Sequence, residues 1–77
     1  MRYVKEEIAK GRFETRIQIY RETINHMLKY NEPWLNIFEE INQAIGMVNF
    51  AVTVGIIDTK VYNQLRYELD IMKEEVE

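Results

Sequence analysis

Cysteine and serine are both missing from this chain. The lack of cysteine excludes a disulfide framework, the usual support of small secreted domains, and fits a reducing compartment, so we expect a cytoplasmic protein. Without serine and cysteine, the nucleophilic mechanisms that depend on these side chains are excluded as well.

Proline and glycine are scarce, with one proline and three glycines in 77 residues. Three scattered glycines cannot form a phosphate-binding loop, and no low-complexity linker divides the chain. The length therefore predicts a single domain over residues 1–77. A domain of this size buries only about 60% of its unfolded surface, so its core is marginal and association with a partner is one way to supplement it.

Long apolar runs are also missing. The longest uncharged stretch is 41–57, which is shorter than the roughly 20 residues that a membrane helix needs. The first thirty residues are charged throughout, which predicts no signal peptide. We expect no membrane partner and interpret 41–57 as part of a buried helix.

The apolar residues that are present recur at the spacing of helices. In the first segment the steps are four, three, four and three: Phe13, Ile17, Tyr20, Ile24 and Met27. This stripe predicts a helix over about 12–30. Residues 1–11 are either helical or frayed, because Gly11 weakens the helical pattern.

A second helix is predicted over 33–54. The residue before Pro33 is disfavoured in α geometry, whereas proline suits the first turn of a new helix. The stripe that follows is wide enough to contact two neighbours: Trp34, Ile37, Phe38, Ile41, Ala44, Ile45, Val48, Ala51 and Val52. Its β-branched end favours a strand, but a lone strand would leave its backbone unpaired, so we predict helix.

A third helix is predicted over 58–76. Gly55 can supply the left-handed turn that ends the second helix, and Asp58 is a good N-cap. Ile57 and Tyr62 occupy the positions of a hydrophobic staple. The apolar stripe continues with Val61, Leu65, Leu69, Met72 and Val76.

These patterns predict an all-α protein. Because both connections are short, consecutive helices should be antiparallel neighbours. We expect a small three-helix bundle, or a helical hairpin with an extra N-terminal helix, that forms a dimer.

Charge is divided unevenly along the chain. Residues 1–29 contain seven basic and four acidic side chains, and residues 30–77 contain three basic and nine acidic ones, so the halves carry +3 and −6. Packing of a basic first helix beside acidic later helices explains this division. A basic surface for nucleic acid is an alternative, although the overall acidity makes nucleic acid an unlikely partner.

Candidate catalytic or metal-binding groups are few. His26 follows Glu22 by four residues and could share a metal with it, but two ligands are too few for a structural site. Glu39 and Glu40 are adjacent on a helix and point about 100° apart, so they do not converge. We predict no catalytic residue, no metal and no cofactor.

One alternative arises from the third helix. The segment from Gly55 to Glu68-Leu69-Asp70 resembles the second helix of the small aspartyl-phosphate phosphatases that act on sporulation regulators. Their signature is Ser-Gln-Glu-Leu-Asp, whereas this chain has Arg66 and Tyr67 in the first two positions, and the likeness covers less than a third of the chain. The resemblance implies a regulatory phosphatase with Glu68 and Asp70 near its site.

The apolar surplus is more informative. Several apolar side chains lie off the core stripes: Met47, Phe50 and Val54 on the second helix, Ile19 and Tyr30 on the first, and Tyr67 and Ile71 on the third. Exposed apolar patches mark interaction surfaces, so we predict that these residues form an interface. We expect a non-enzymatic helical module that binds itself or another protein, of the kind found among accessory or inhibitor proteins of phages and mobile elements.

Overall fold

The computed structural model describes residues 2–76, with side chains from residue 7 onward, and this part of the chain forms three α-helices. Helix α1 is Arg2–Lys29, α2 is Trp34–Thr53 and α3 is Thr59–Val76. No strand occurs in these residues. The predicted all-α class is therefore confirmed.

The first helix begins earlier than its apolar stripe. It starts at Arg2 instead of near residue 12, and Gly11 lies inside it without interrupting it. Of the two alternatives for residues 2–11, the structure shows the helical one, while Met1 lies outside the described residues. Apolar periodicity marks only the part of a helix that packs on the core, and none of residues 7–12 is buried.

The α1–α2 connection is a Schellman turn around Asn31, which has a φ of 52°. The Glu32 amide donates to the Met27 carbonyl at 3.0 Å, and the Asn31 amide donates to the Leu28 carbonyl at 3.3 Å. These bonds satisfy carbonyls that the helix end would otherwise leave free. Pro33 then precedes α2 as its N-cap with a ψ of 133°, so the helix begins one residue later than predicted.

The α2–α3 connection repeats this motif, with Gly55 in the left-handed position at a φ of 82°. The Ile56 amide donates to the Ala51 carbonyl at 2.9 Å, and the Gly55 amide donates to the Val52 carbonyl at 3.3 Å. The predicted glycine stop at the end of α2 is thus confirmed. The β-branched segment is helical as far as Thr53.

The predicted N-cap of α3 is also present. The Val61 amide donates to Oδ1 of Asp58 at 2.9 Å, which satisfies one of the free donors of the first helical turn. Ile57 is buried and Tyr62 is partly buried, as a hydrophobic staple at this position requires.

Helix α2 is the central element, and it contacts both α1 and α3, whereas those two scarcely meet. The buried core draws on all three helices and on the α2–α3 connection, through Phe13, Ile17, Ile24, Ile37, Ile41, Ala44, Ile45, Val48, Ala51, Ile57, Leu65 and Leu69. Most of the predicted stripe positions are therefore core. Two are exposed, Trp34 at 60% and Val61 at 37%, and the remaining six are partly buried.

Polar contacts join the helices at the edges of the core. The hydroxyl of Tyr62 donates to Oδ1 of Asn49 at 2.9 Å, which connects α3 to α2. The Nζ of Lys73 lies 4.7 Å from the ring centroid of Phe38. Arg21 of α1 and Glu68 of α3 form an ion pair at 2.6 Å across the gap between their helices.

The molecule is elongated, measuring 45 × 19 × 15 Å with a radius of gyration of 13.5 Å. A compact chain of this length has a radius of gyration of about 11.5 Å. Helix α1 is 28 residues long and α2 is 20. At about 1.5 Å per residue, α1 extends about 12 Å beyond α2. Because a short turn joins the C-terminal end of α1 to α2, the excess lies at the N-terminal end of α1.

A membrane-crossing helix needs more length and apolarity than any helix within residues 2–76 provides.

We expect Asp58→Ala to lower the free energy of unfolding by about 1 kcal/mol, because the Val61 amide loses its acceptor. Asp58→Asn retains an acceptor oxygen and should lose much less. Urea denaturation followed by far-ultraviolet circular dichroism measures both, and the native spectra should be mainly helical. Equal losses in the two variants would contradict the cap.

Candidate protein-interaction surface

The side of α2 that points away from the core is the first candidate surface. We call it the outer face of α2 and define it by Gln43, Gly46, Met47, Phe50 and Val54. Phe50 is 62% exposed and Val54 is 52% exposed, although both are large apolar side chains. Met47 is only partly exposed and packs against the core, so Phe50 and Val54 supply most of the accessible apolar surface.

The outer face arises because the apolar residues of α2 cover more than one side of the helix. Phe50 lies about 160° around the axis from Val48, which is fully buried. Burial of Val48 between α1 and α3 therefore directs Phe50 outward. Val54 follows Phe50 by one turn and stays beside it, since residues four apart share a side of a helix.

The other predicted interface residues are exposed but do not join this face. Ile19 is on α1 and Tyr30 lies just after its C-terminal end, about 16 Å further along the axis. Tyr67 and Ile71 lie one turn apart on α3, with Tyr67 68% exposed. The seven residues thus lie at four places: Ile19 on α1, Tyr30 at the α1–α2 turn, Tyr67 and Ile71 on α3, and Met47, Phe50 and Val54 together on the outer face.

Periodicity alone missed a second apolar group at the α1–α2 turn. Trp34 is 60% exposed and Leu35 is 58% exposed at the start of α2, and Tyr30, four residues before Trp34, is 62% exposed. Trp34 was expected in the core because it continues the stripe of α2. It lies one turn before Phe38, however, and the two rings form a T-shaped pair with a centroid distance of 6.1 Å. No local signal separates Trp34 from the buried members of the stripe, since adjacent apolar residues of α2 such as Ala44 and Ile45 are both buried.

Aromatic and basic side chains surround this turn. The rings of His26 and Tyr30 are 4.5 Å apart between centroids, and Lys29 approaches the Tyr30 ring at 5.7 Å. His26 is exposed. In the part of the chain that the structure describes, no group of three or more histidine and carboxylate side chains is placed to share a metal ion.

The carboxylates singled out by the phosphatase resemblance are held in ion pairs. Glu68 accepts two hydrogen bonds from the Arg21 guanidinium, at 3.0 and 2.6 Å. Asp70 accepts from Nε of Arg66 at 3.3 Å, and this hydrogen bond raises the pKa of Arg66. Because residues two apart on a helix point about 200° apart, Glu68 and Asp70 face different sides of α3.

A groove of about 810 Å³ runs between α1 and the start of α3. Its apolar walls include Phe13, Ile17 and Leu65, which are only 6–8% exposed. Charged residues also line it, among them Arg21, which is paired with Glu68, and Asp58, which caps α3. No histidine lines the groove.

The basic side of α1 carries Arg12 and Arg16, one turn apart and both exposed. They lie beside Ile8 and Ile19, which are 46% and 52% exposed. Two arginines on one helix side form a small positive patch, whereas specific nucleic-acid binders usually present a strongly positive domain.

Comparison with known proteins yields no relative: no protein-family model, no curated protein and no solved structure matches this chain.

Trp34 is the only tryptophan, so tryptophan fluorescence reports on this position alone. We expect the dilute native protein to emit close to the wavelength of tryptophan in water and to be quenched readily by iodide, because the side chain is 60% exposed. Unfolding in urea should then shift the emission very little. A large red shift on unfolding would place Trp34 in the interior instead.

Proposed function

We propose that this chain is a small, non-enzymatic, protein-binding module that uses the outer face of α2. The exposure of Phe50 and Val54 carries the proposal, because the core closes without either side chain. Aromatic and methionine side chains are enriched at the centres of interfaces, and this face presents Phe50 next to Met47.

The same observations support binding over catalysis as the activity of the module. The carboxylates that the phosphatase resemblance singles out, Glu68 and Asp70, are paired with arginines, and no histidine lines the groove between α1 and α3. General acid–base catalysis needs titratable groups that converge in a concave site, and Glu68 and Asp70 face different sides of α3. We therefore favour the binding module over the phosphatase alternative.

A role as an accessory or inhibitor protein in the cytoplasm, of the kind that phages and mobile elements encode, fits the proposal. Such a protein acts by occupying a surface of another protein or of its own copy, and a small acidic domain with an apolar face is suited to that task. Burial of the Phe50 side chain would contribute roughly 1.5–3 kcal/mol to such a complex.

Phe50→Asp should weaken binding and leave the fold intact, since a charge on an exposed position disturbs an interface but not the core. Leu35→Asp is the matched control, because Leu35 is on the same helix and 58% exposed, compared with 62% for Phe50. The two positions are about 22 Å apart along α2. Sedimentation velocity at micromolar concentrations tests self-association, and affinity capture from the native host tests binding to other proteins.

We expect Phe50→Asp to weaken any complex at least about tenfold, corresponding to 1.4 kcal/mol, while Leu35→Asp behaves like the natural chain. Circular dichroism of both variants should remain helical. If the natural chain neither associates nor captures any protein in a Phe50-dependent way, the proposed function is wrong. Unfolding of Phe50→Asp would instead show that Phe50 is a core residue.

A further inference from the structure

The outer face of α2 contains a glycine that the packing of this chain does not explain. Gly46 lies in the middle of the helix, and a Cβ built on it meets nothing within 4 Å. Its backbone is ordinary helix, because Gly55 is the only glycine with a positive φ in the described residues. Glycine is less favourable than alanine inside a helix, so Gly46 weakens α2 with no gain inside the chain.

Phe50 follows Gly46 by one turn on the same side of α2. Residues four apart form one ridge of a helix surface, so Gly46, Phe50 and Val54 are successive members of a single ridge. An open position and a protruding ring are therefore neighbours on one exposed surface. If two helices are to approach closely, an aromatic ring that projects from one of them needs a small residue opposite it on the other.

We propose that a second copy of this chain covers the outer face, with the two α2 helices antiparallel and Phe50 of each copy packed against Gly46 of the partner subunit. This inference rests on the proposed function and names its partner. A two-fold axis that passes between Gly46 and Phe50 makes the two ring-to-glycine contacts equivalent. Each ring then fills the space that the missing side chain leaves.

The charge of the surface favours a copy over a foreign partner. Residues 41–57 contain no charged side chain, although the chain as a whole has a net charge of −3. Two identical copies of this face can meet without repulsion. A partner of different sequence would find no charge here with which to set orientation, which is the usual role of charged groups at interfaces.

The accessible area also fits a dimer. The chain exposes 5827 Å², whereas a compact monomer of this mass exposes about 5,000 Å². The excess of about 800 Å² is close to the area that each partner buries in a standard interface. Part of it belongs to the extended end of α1, so the pairing of the α2 helices should bring other parts of the two copies together as well.

Substitution of Gly46 distinguishes an effect on dimerisation from an effect on folding. Gly46→Leu and Gly11→Leu each replace a helical glycine whose Cβ would meet nothing within 4 Å. Both variants should therefore unfold at a higher temperature than the natural chain when dilute. Only Gly46→Leu should raise the dissociation constant of the dimer, by about tenfold or more, because its side chain occupies the place of the partner's ring.

Single cysteines test the direction of the helices, since the chain has no cysteine of its own. Gln43 and Thr53 are exposed and lie three residues outside Gly46 and Phe50, one on each side. In the antiparallel pair, position 43 lies opposite position 53 of the partner subunit. A mixture of Gln43→Cys and Thr53→Cys should therefore form mixed disulfides on mild oxidation, whereas each variant alone should cross-link poorly.

Three results would overturn the pairing. Equal dissociation constants for Gly46→Leu and Gly11→Leu would place the dimer contact on another surface. Efficient cross-linking of each cysteine variant with itself, without mixed products, would show parallel helices. A natural chain that sediments as a monomer, but still captures another protein through Phe50, would refute the second copy and leave the proposed function intact.

Discussion

The apolar surface of α2 extends over more of its circumference than one neighbouring helix can cover, and the rest of the structure depends on this excess. The six buried residues of α2, from Ile37 to Ala51, are covered because α1 packs on one side of the helix and α3 on the other. No disulfide supports this arrangement, since the chain has no cysteine. The burial of α2 between two antiparallel neighbours must therefore supply most of the stability.

This constraint explains why both turns have well-defined geometry. Each neighbour must reverse direction within a few residues to cover α2, and each turn does so with a left-handed residue, Asn31 in one and Gly55 in the other. The two Schellman motifs satisfy the carbonyls at the ends of α1 and α2 in the same way. Asp58 then caps the first turn of α3, so the second connection ends where the helix begins.

Covering α2 from two sides also determines what stays open. Helices α1 and α3 scarcely meet, and the Arg21–Glu68 ion pair spans the gap where they approach each other. Such exposed ion pairs contribute only about 0–1 kcal/mol, so this contact positions the helices more than it stabilises them. On the opposite side, none of the three described helices covers the outer face of α2, and a ring and an open glycine are left next to each other.

The amino-acid sequence alone determined the helical class and the order of the three helices. It also determined that Gly55 ends α2 and that Asp58 caps α3, because helical periodicity and capping depend on residues close in sequence. The sequence also indicated that Phe50 and Val54 lie opposite the core stripe of α2. Only the tertiary structure decided how far each helix runs past the core and where the apolar surfaces separate. Trp34 shows the reason: its position on the stripe is local, but its exposure depends on whether another helix extends far enough to cover it, and within residues 2–76 none does.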